Sequence, residues 1–165
     1  MAHKVRNVIW AFAFCGLGFA AALYTMRPSD AAAPKPAMIA SKIVGWEEAQ
    51  VSKADWGEMR RYFTGETSGS KNVLTAVAVV EPGKAVHKSH RHAEEEYLVL
   101  VDGAGTWSLA GKETPAKRGD VLYAEPWVFH GLKNTGEKAL IFLVVRYSSK
   151  GVPLPPKPDD KPDEM

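Results

Sequence analysis

Hydrophobic and polar positions alternate along most of the chain with the short period of strands, not of helices. Glu58 to Phe63 reads as a strand, ended by the Thr64-Gly65-Glu66-Thr67-Ser68-Gly69-Ser70 break. Val73 to Val80 is apolar on both parities and predicts a strand buried on both faces. Tyr97 to Val101 is a further strand, Asp102-Gly103 a hairpin signal, and Gly105 to Leu109 the returning strand. Val121 to Ala124 and Val128 to Leu132 are short strands, and Ala139 to Tyr147 is a long apolar one. Trp46 to Asp55 has no clear period and predicts only a short helical turn. Turn signals every eight to twelve residues or so between short strands predict an all-β domain over residues 43–150, a sandwich or barrel.

The two ends follow other rules. Val8 to Met26, VIWAFAFCGLGFAAALYTM, carries no charge and is 19 residues long, near the length that spans a bilayer. Residues 1–26 are therefore expected to form an N-terminal transmembrane or signal-anchor helix (span 8–26). A short tail before a first span usually stays inside, which places the domain on the exported, periplasmic or extracellular, side. Secretion after signal cleavage is the alternative. Residues 27–42 are rich in Ala, Pro and Ser and read as a linker. Residues 151–165 hold five prolines, two lysines and four acids, and are expected to be disordered.

Composition narrows the functional classes. Lys plus Arg number 21 against 19 Asp plus Glu, a net charge of +2 with both signs interspersed, so no nucleic acid is expected as partner. Cys15, the only cysteine, lies in the apolar run, so the domain has neither a disulfide nor a thiolate ligand.

The chemistry concentrates in Gly83 to Gly103, GKAVHKSHRHAEEEYLVLVDG. On an extended strand residues two apart share a side, so His90 and His92 aim imidazoles at one point while Arg91 faces away. Glu96 has the same parity, and Glu94 shares it; Glu95 points the other way and His87 is out of phase. Two imidazoles and a carboxylate suit a divalent transition metal. A second stretch, Gly119 to Asn134, adds His130.

Together the stretches resemble the cupin superfamily, whose motifs are G-x5-H-x-H-x3,4-E-x6-G and G-x5-P-x-G-x2-H-x3-N. The first matches with one extra residue after Gly83, and the second matches in frame at Gly119, His130 and Asn134. Glu125 stands where the family has proline, and Trp127 where it has glycine. The resemblance implies a cupin jelly-roll β-barrel. It implies His90, His92, Glu96 and His130 as ligands of one divalent metal, Mn, Fe, Ni or Zn, with family spacing choosing Glu96 over Glu94. Four protein ligands leave open positions on a six-coordinate ion. The expected function is a metal-dependent enzyme of dioxygenase or decarboxylase type acting on a small polar substrate. A non-catalytic small-molecule or sugar-binding module and a sugar isomerase are the alternatives, and a homodimer is compatible with any of them.

Trp107, Tyr123 and Trp127 are the candidate substrate-binding residues, weighed against an ordinary place in the core. Arg60, Arg61 and Arg146 are the cations available to an anionic substrate, against the usual surface role. Glu125 is either an acid or base near the metal or a solvated loop carboxylate. Asn134 is expected to bond backbone within its own turn.

Overall fold

A computed structural model describes residues 38–159 together with 163 and 164, all within the compact unit Lys35–Met165. The expected apolar span at residues 8–26 lies outside the described residues. No helix among those described is long and apolar enough to cross a membrane.

Among the described residues a 3-10 turn at Trp46–Glu48 precedes nine strands: β1 Gln50–Ala54, β2 Gly57–Gly65, β3 Ser70–Val80, β4 Glu95–Asp102, β5 Ala104–Leu109, β6 Lys112–Lys117, β7 Val121–Ala124, β8 His130–Lys133 and β9 Leu140–Ser149. They form a six-stranded sheet in the order β1-β2-β3-β9-β4-β7 and a three-stranded sheet in the order β6-β5-β8. All the strand pairs are antiparallel.

The strands read from periodicity are present, with ends shifted by a few residues. Two others, β1 and β6, are polar and lie at sheet edges. Every residue of β1 is exposed, and Pro115 of β6 is tolerated because an edge strand can forgo a ladder hydrogen bond. Strand β3 departs from expectation. Ala76, Ala78 and Val80 are fully buried, but the residues between them are only half-buried, because no second layer covers their outer face.

The core lies between the two sheets. Ala78 and Val80 of β3, Leu98 and Leu100 of β4, and Leu140, Phe142 and Val144 of β9 meet Trp107, Ala116 and Leu132 of the smaller sheet. The β4–β5 hairpin depends on Gly103. Its φ of +90° suits glycine, and a Cβ there would sit 2.9 Å from both Ala139 O and Leu140 Cα. The turn signal read from Asp102-Gly103 is thus also a point of close approach to β9.

The proline-rich C-terminal segment was expected to be disordered. It has neither helix nor strand over 151–159, but polar contacts tie it down. Trp127 Nε1 donates to Pro155 O at 2.8 Å, Arg91 reaches Pro158 O at 3.4 Å, and Arg91 N donates to Asp163 O at 3.0 Å. A proline-rich chain cannot form a core, yet its free carbonyls still accept hydrogen bonds from a fixed surface.

Candidate metal centre

Two backbone hydrogen bonds bring the two motifs together. His90 N donates to His130 O at 3.0 Å and His130 N to His90 O at 2.9 Å, an isolated antiparallel bridge that sets the two histidines side by side. Trp127 N donates to His92 O at 2.7 Å and holds the third histidine against the loop before β8. Glu96 enters from the start of β4, where its Cα faces Ala124 on β7 and Arg146 on β9.

The imidazoles converge. Ring centroids lie 5.2 Å apart for His90 and His92, 4.5 Å for His90 and His130, and 4.9 Å for His92 and His130. One ligand atom from each falls within 4.8 Å of the others. Glu96, 5 % exposed, places Oε2 3.3 Å from His92 Nε2 and Oε1 3.3 Å from His130 Nε2.

Hydrogen bonding behind the rings prepares them for a cation. His130 Nδ1 lies 2.8 Å from Val128 O, and His92 Nδ1 lies 3.0 Å from Glu94 O. A carbonyl only accepts, so each Nδ1 carries the proton and each Nε2 keeps its lone pair. Those two Nε2 atoms, and Nδ1 of His90, are buried without a hydrogen-bond partner. The contacts of 3.3 Å to Glu96 therefore have the distance of an attraction but not the geometry of a hydrogen bond. Three orphaned imidazole nitrogens around one buried carboxylate fit a divalent metal.

The electrostatics agree. Burial, with His87, His130 and His92 close by, lowers the pKa of His90 to about 3, so its ring is neutral near pH 7. Burial acts to raise Glu96, but His130 and His92 override it and hold the carboxyl well below the ordinary carboxylate range.

Beside the cluster lies a cavity of about 80 Å³, lined by His87, His90, Glu96 and His130, by apolar residues including Met59, Leu98, Phe142 and Val144, and by Arg146. None of the three aromatic residues assigned to substrate lines it. Trp107 is part of the core. Tyr123 is 40 % exposed, on the outer face of β7 against Tyr97, because Leu122 and Ala124 take the inward positions. Trp127 turns its indole to the C-terminal segment. Its φ of +64° explains why the family has glycine at that place.

Among the other candidates, Glu125 is exposed, Arg60 pairs with Glu58 and lies over Trp46, and Arg61 bonds Ser52. Glu94 is half-buried. Its carboxylate lies 3.5 Å from His92 Nδ1, on the far side of the ring from Glu96. The cavity residues that sequence reasoning missed, Leu98, Phe142 and Val144, carry only the signal of inward parity, which is the signal of any core residue.

The comparisons with known proteins point the same way. The cupin domain model matches residues 76–146. An oxalate-binding protein of Thermotoga maritima is 32% identical over 88 residues, 53% of this chain and 73% of that protein. A gentisate 1,2-dioxygenase from a Streptomyces species is 29% identical over 82 residues, 49% of this chain but only 23% of the dioxygenase. An RmlC-like cupin from Shewanella frigidimarina superposes with a TM-score of 0.54 at 15% identity, over 67% of this chain and 95% of that one. A Cupin 2 conserved barrel domain protein from Salinispora arenicola does so with 0.53 at 21% identity, over 67% and 91%. These two structural likenesses speak for the fold. With both motifs in place, the two-sheet fold and a relative matched over most of its length, the chain belongs to the cupin family.

Proposed function

We propose that this cupin domain binds one divalent transition metal, Mn, Fe, Ni or Zn, through His90, His92, Glu96 and His130, and acts as a metal-dependent enzyme of dioxygenase or decarboxylase type on a small polar substrate. The observation that carries the reading is the convergence of three buried, unpartnered imidazole nitrogens around the Glu96 carboxylate. A bound metal would supply Lewis acidity toward a substrate oxygen. The protein's own contribution is positional. Val128 O and the Glu94 carbonyl lock two tautomers, Glu96 supplies negative charge, and Leu98, Phe142 and Val144 form an apolar wall of the adjoining cavity.

The test is elemental analysis of protein purified without added metal, followed by assays for dioxygen uptake and carbon dioxide release on small carboxylates. Close to one metal per chain with turnover of a carboxylate supports the reading. Absence of metal, with no thermal shift on adding manganese, iron, nickel or zinc, defeats it. Binding without turnover is the second reading. It is favoured by the oxalate-binding relative, matched over 73% of its length, and would show as saturable binding with no product. We further propose that residues 8–26 anchor the chain in a membrane with the domain on the exported side, secretion after cleavage being the alternative; the support is the uncharged length of that run.

A further inference from the structure

The cavity contains a cation that the metal site does not use. Arg146 lies on β9 with the inward parity of Leu140, Phe142 and Val144, and it lines the same cavity as His90, Glu96 and His130. Its Cα faces Glu96 on β4 and Leu74 on β3, one strand spacing from the metal cluster. Its Nε is buried without a hydrogen-bond partner. The Glu96 carboxylate is turned to His92 and His130, and among the described residues no carboxylate lies within ion-pair distance of the Arg146 guanidinium.

A guanidinium keeps its charge at any ordinary pH, and Arg146 is half-buried with its Nε enclosed beside Met59, Leu98 and Phe142, where a polar group without a partner is costly. An anion entering the cavity would supply the missing partner, and the planar fork of arginine matches a carboxylate. Size restricts that anion. The chamber beside Arg146 measures about 80 Å³, well short of the ~150 Å³ that accepts a benzene ring, and shares Val86, His87, Gly131 and Leu132 with a wider groove of about 630 Å³. We infer that Arg146 anchors the carboxylate of a short aliphatic substrate, roughly two to four carbons long, whose second oxygen donor faces the histidine cluster. This deepens the proposed function and rests on it only for the end of the ligand that faces the metal.

Full-length protein, with its metal content measured in each sample, is titrated calorimetrically with oxalate, with neutral glycolamide of similar size, and with benzoate. Wild type is expected to bind oxalate at least about tenfold more tightly than either of the others. Arg146→Met should lose that preference, weakening oxalate by at least about tenfold with metal content unchanged, and Arg146→Lys should retain part of it. Thermal melting establishes that each variant is folded; if Arg146→Met is not, Arg146→Lys carries the test, since a point charge cannot reproduce the bidentate fork. Oxalate affinity independent of residue 146 at full metal content overturns the anchor, as does a wild type that binds no oxalate. Benzoate bound as tightly as oxalate overturns the size limit. A wild type without metal defeats the metal reading separately, and oxalate binding that still depends on Arg146 then upholds the anchor alone.

Discussion

At His130 sequence spacing and buried geometry can be compared directly. The residue is 1% exposed, its Nδ1 is committed to Val128 O, and its Nε2 faces Glu96. Glu96→Gln and His130→Ala should each weaken metal binding by at least about tenfold, no less than the ~10–100-fold typical of residues one layer further out. Glu94→Gln should cost less, because the His92 contact at 3.0 Å is made by the Glu94 backbone carbonyl, which the substitution keeps. Glu95→Gln should leave affinity unchanged, its side chain lying beside Tyr123 and Tyr147. Metal titration of the four variants checks this ordering. The same residues set a pH response in metal-free protein. His90 titrates near 6.5 when unfolded and at about 3 when folded, so below about 6.5 the unfolded chain binds a proton that the folded one refuses. Glu96 is also held low when folded, and the stability it contributes fades as pH falls below its ordinary value of 4.5. Melting temperature should therefore drop from pH 7.5 to pH 4.5, and His90→Gln should flatten the upper part of that drop.

On the level of strands and turns, Asn134 does more than close its own turn. It is fully buried. Its Nδ2 donates to Val80 O and Lys138 O, both at 2.8 Å, and its Oδ1 accepts from Gly136 N at 3.0 Å. The amide joins the end of β3 to the β8–β9 turn. Asn134→Ala leaves three backbone groups without this partner and should cost about 3 kcal/mol, read by urea denaturation, with metal stoichiometry unchanged. The local half of this role, within Asn-Thr-Gly, was legible from turn chemistry. The bond to Val80, 54 residues away, was not, because nothing local encodes a distant carbonyl. Strand phase was legible only where the two faces differ in chemistry. Around His90 parity put His90, His92, Glu94 and Glu96 in one phase, and family spacing chose Glu96 among the carboxylates. In β7 all four residues are apolar or aromatic, and only packing decides that Leu122 and Ala124 turn inward while Tyr123 is left outside.

For the whole molecule the segments flanking the domain matter most. If residues 8–26 anchor the chain, full-length protein will sediment with membranes and return to solution when that segment is removed. Soluble protein with its N-terminus intact contradicts the anchor, and soluble protein starting near Leu23 or Ala31 indicates cleavage. At the other end, the pinning of the C-terminal segment by Trp127 and Arg91 depends on surface donors that only the folded domain presents.

The amino-acid sequence by itself determined the all-β class and put His90 and His92 in phase with each other, while the resemblance to the cupins added His130 and chose Glu96 over Glu94. Those features rest on period, turn residues and spacing, which are local and survive without a fold. Tertiary structure decided which inward residues border a cavity rather than fill the core, and that the Arg146 Nε is enclosed there without a hydrogen-bond partner. It also sent Tyr123 to the surface, left Arg146 as a whole half-buried, and turned the Trp127 indole to the C-terminal segment. Each of these depends on what another strand places opposite, a relation between distant residues that spacing along one chain does not contain.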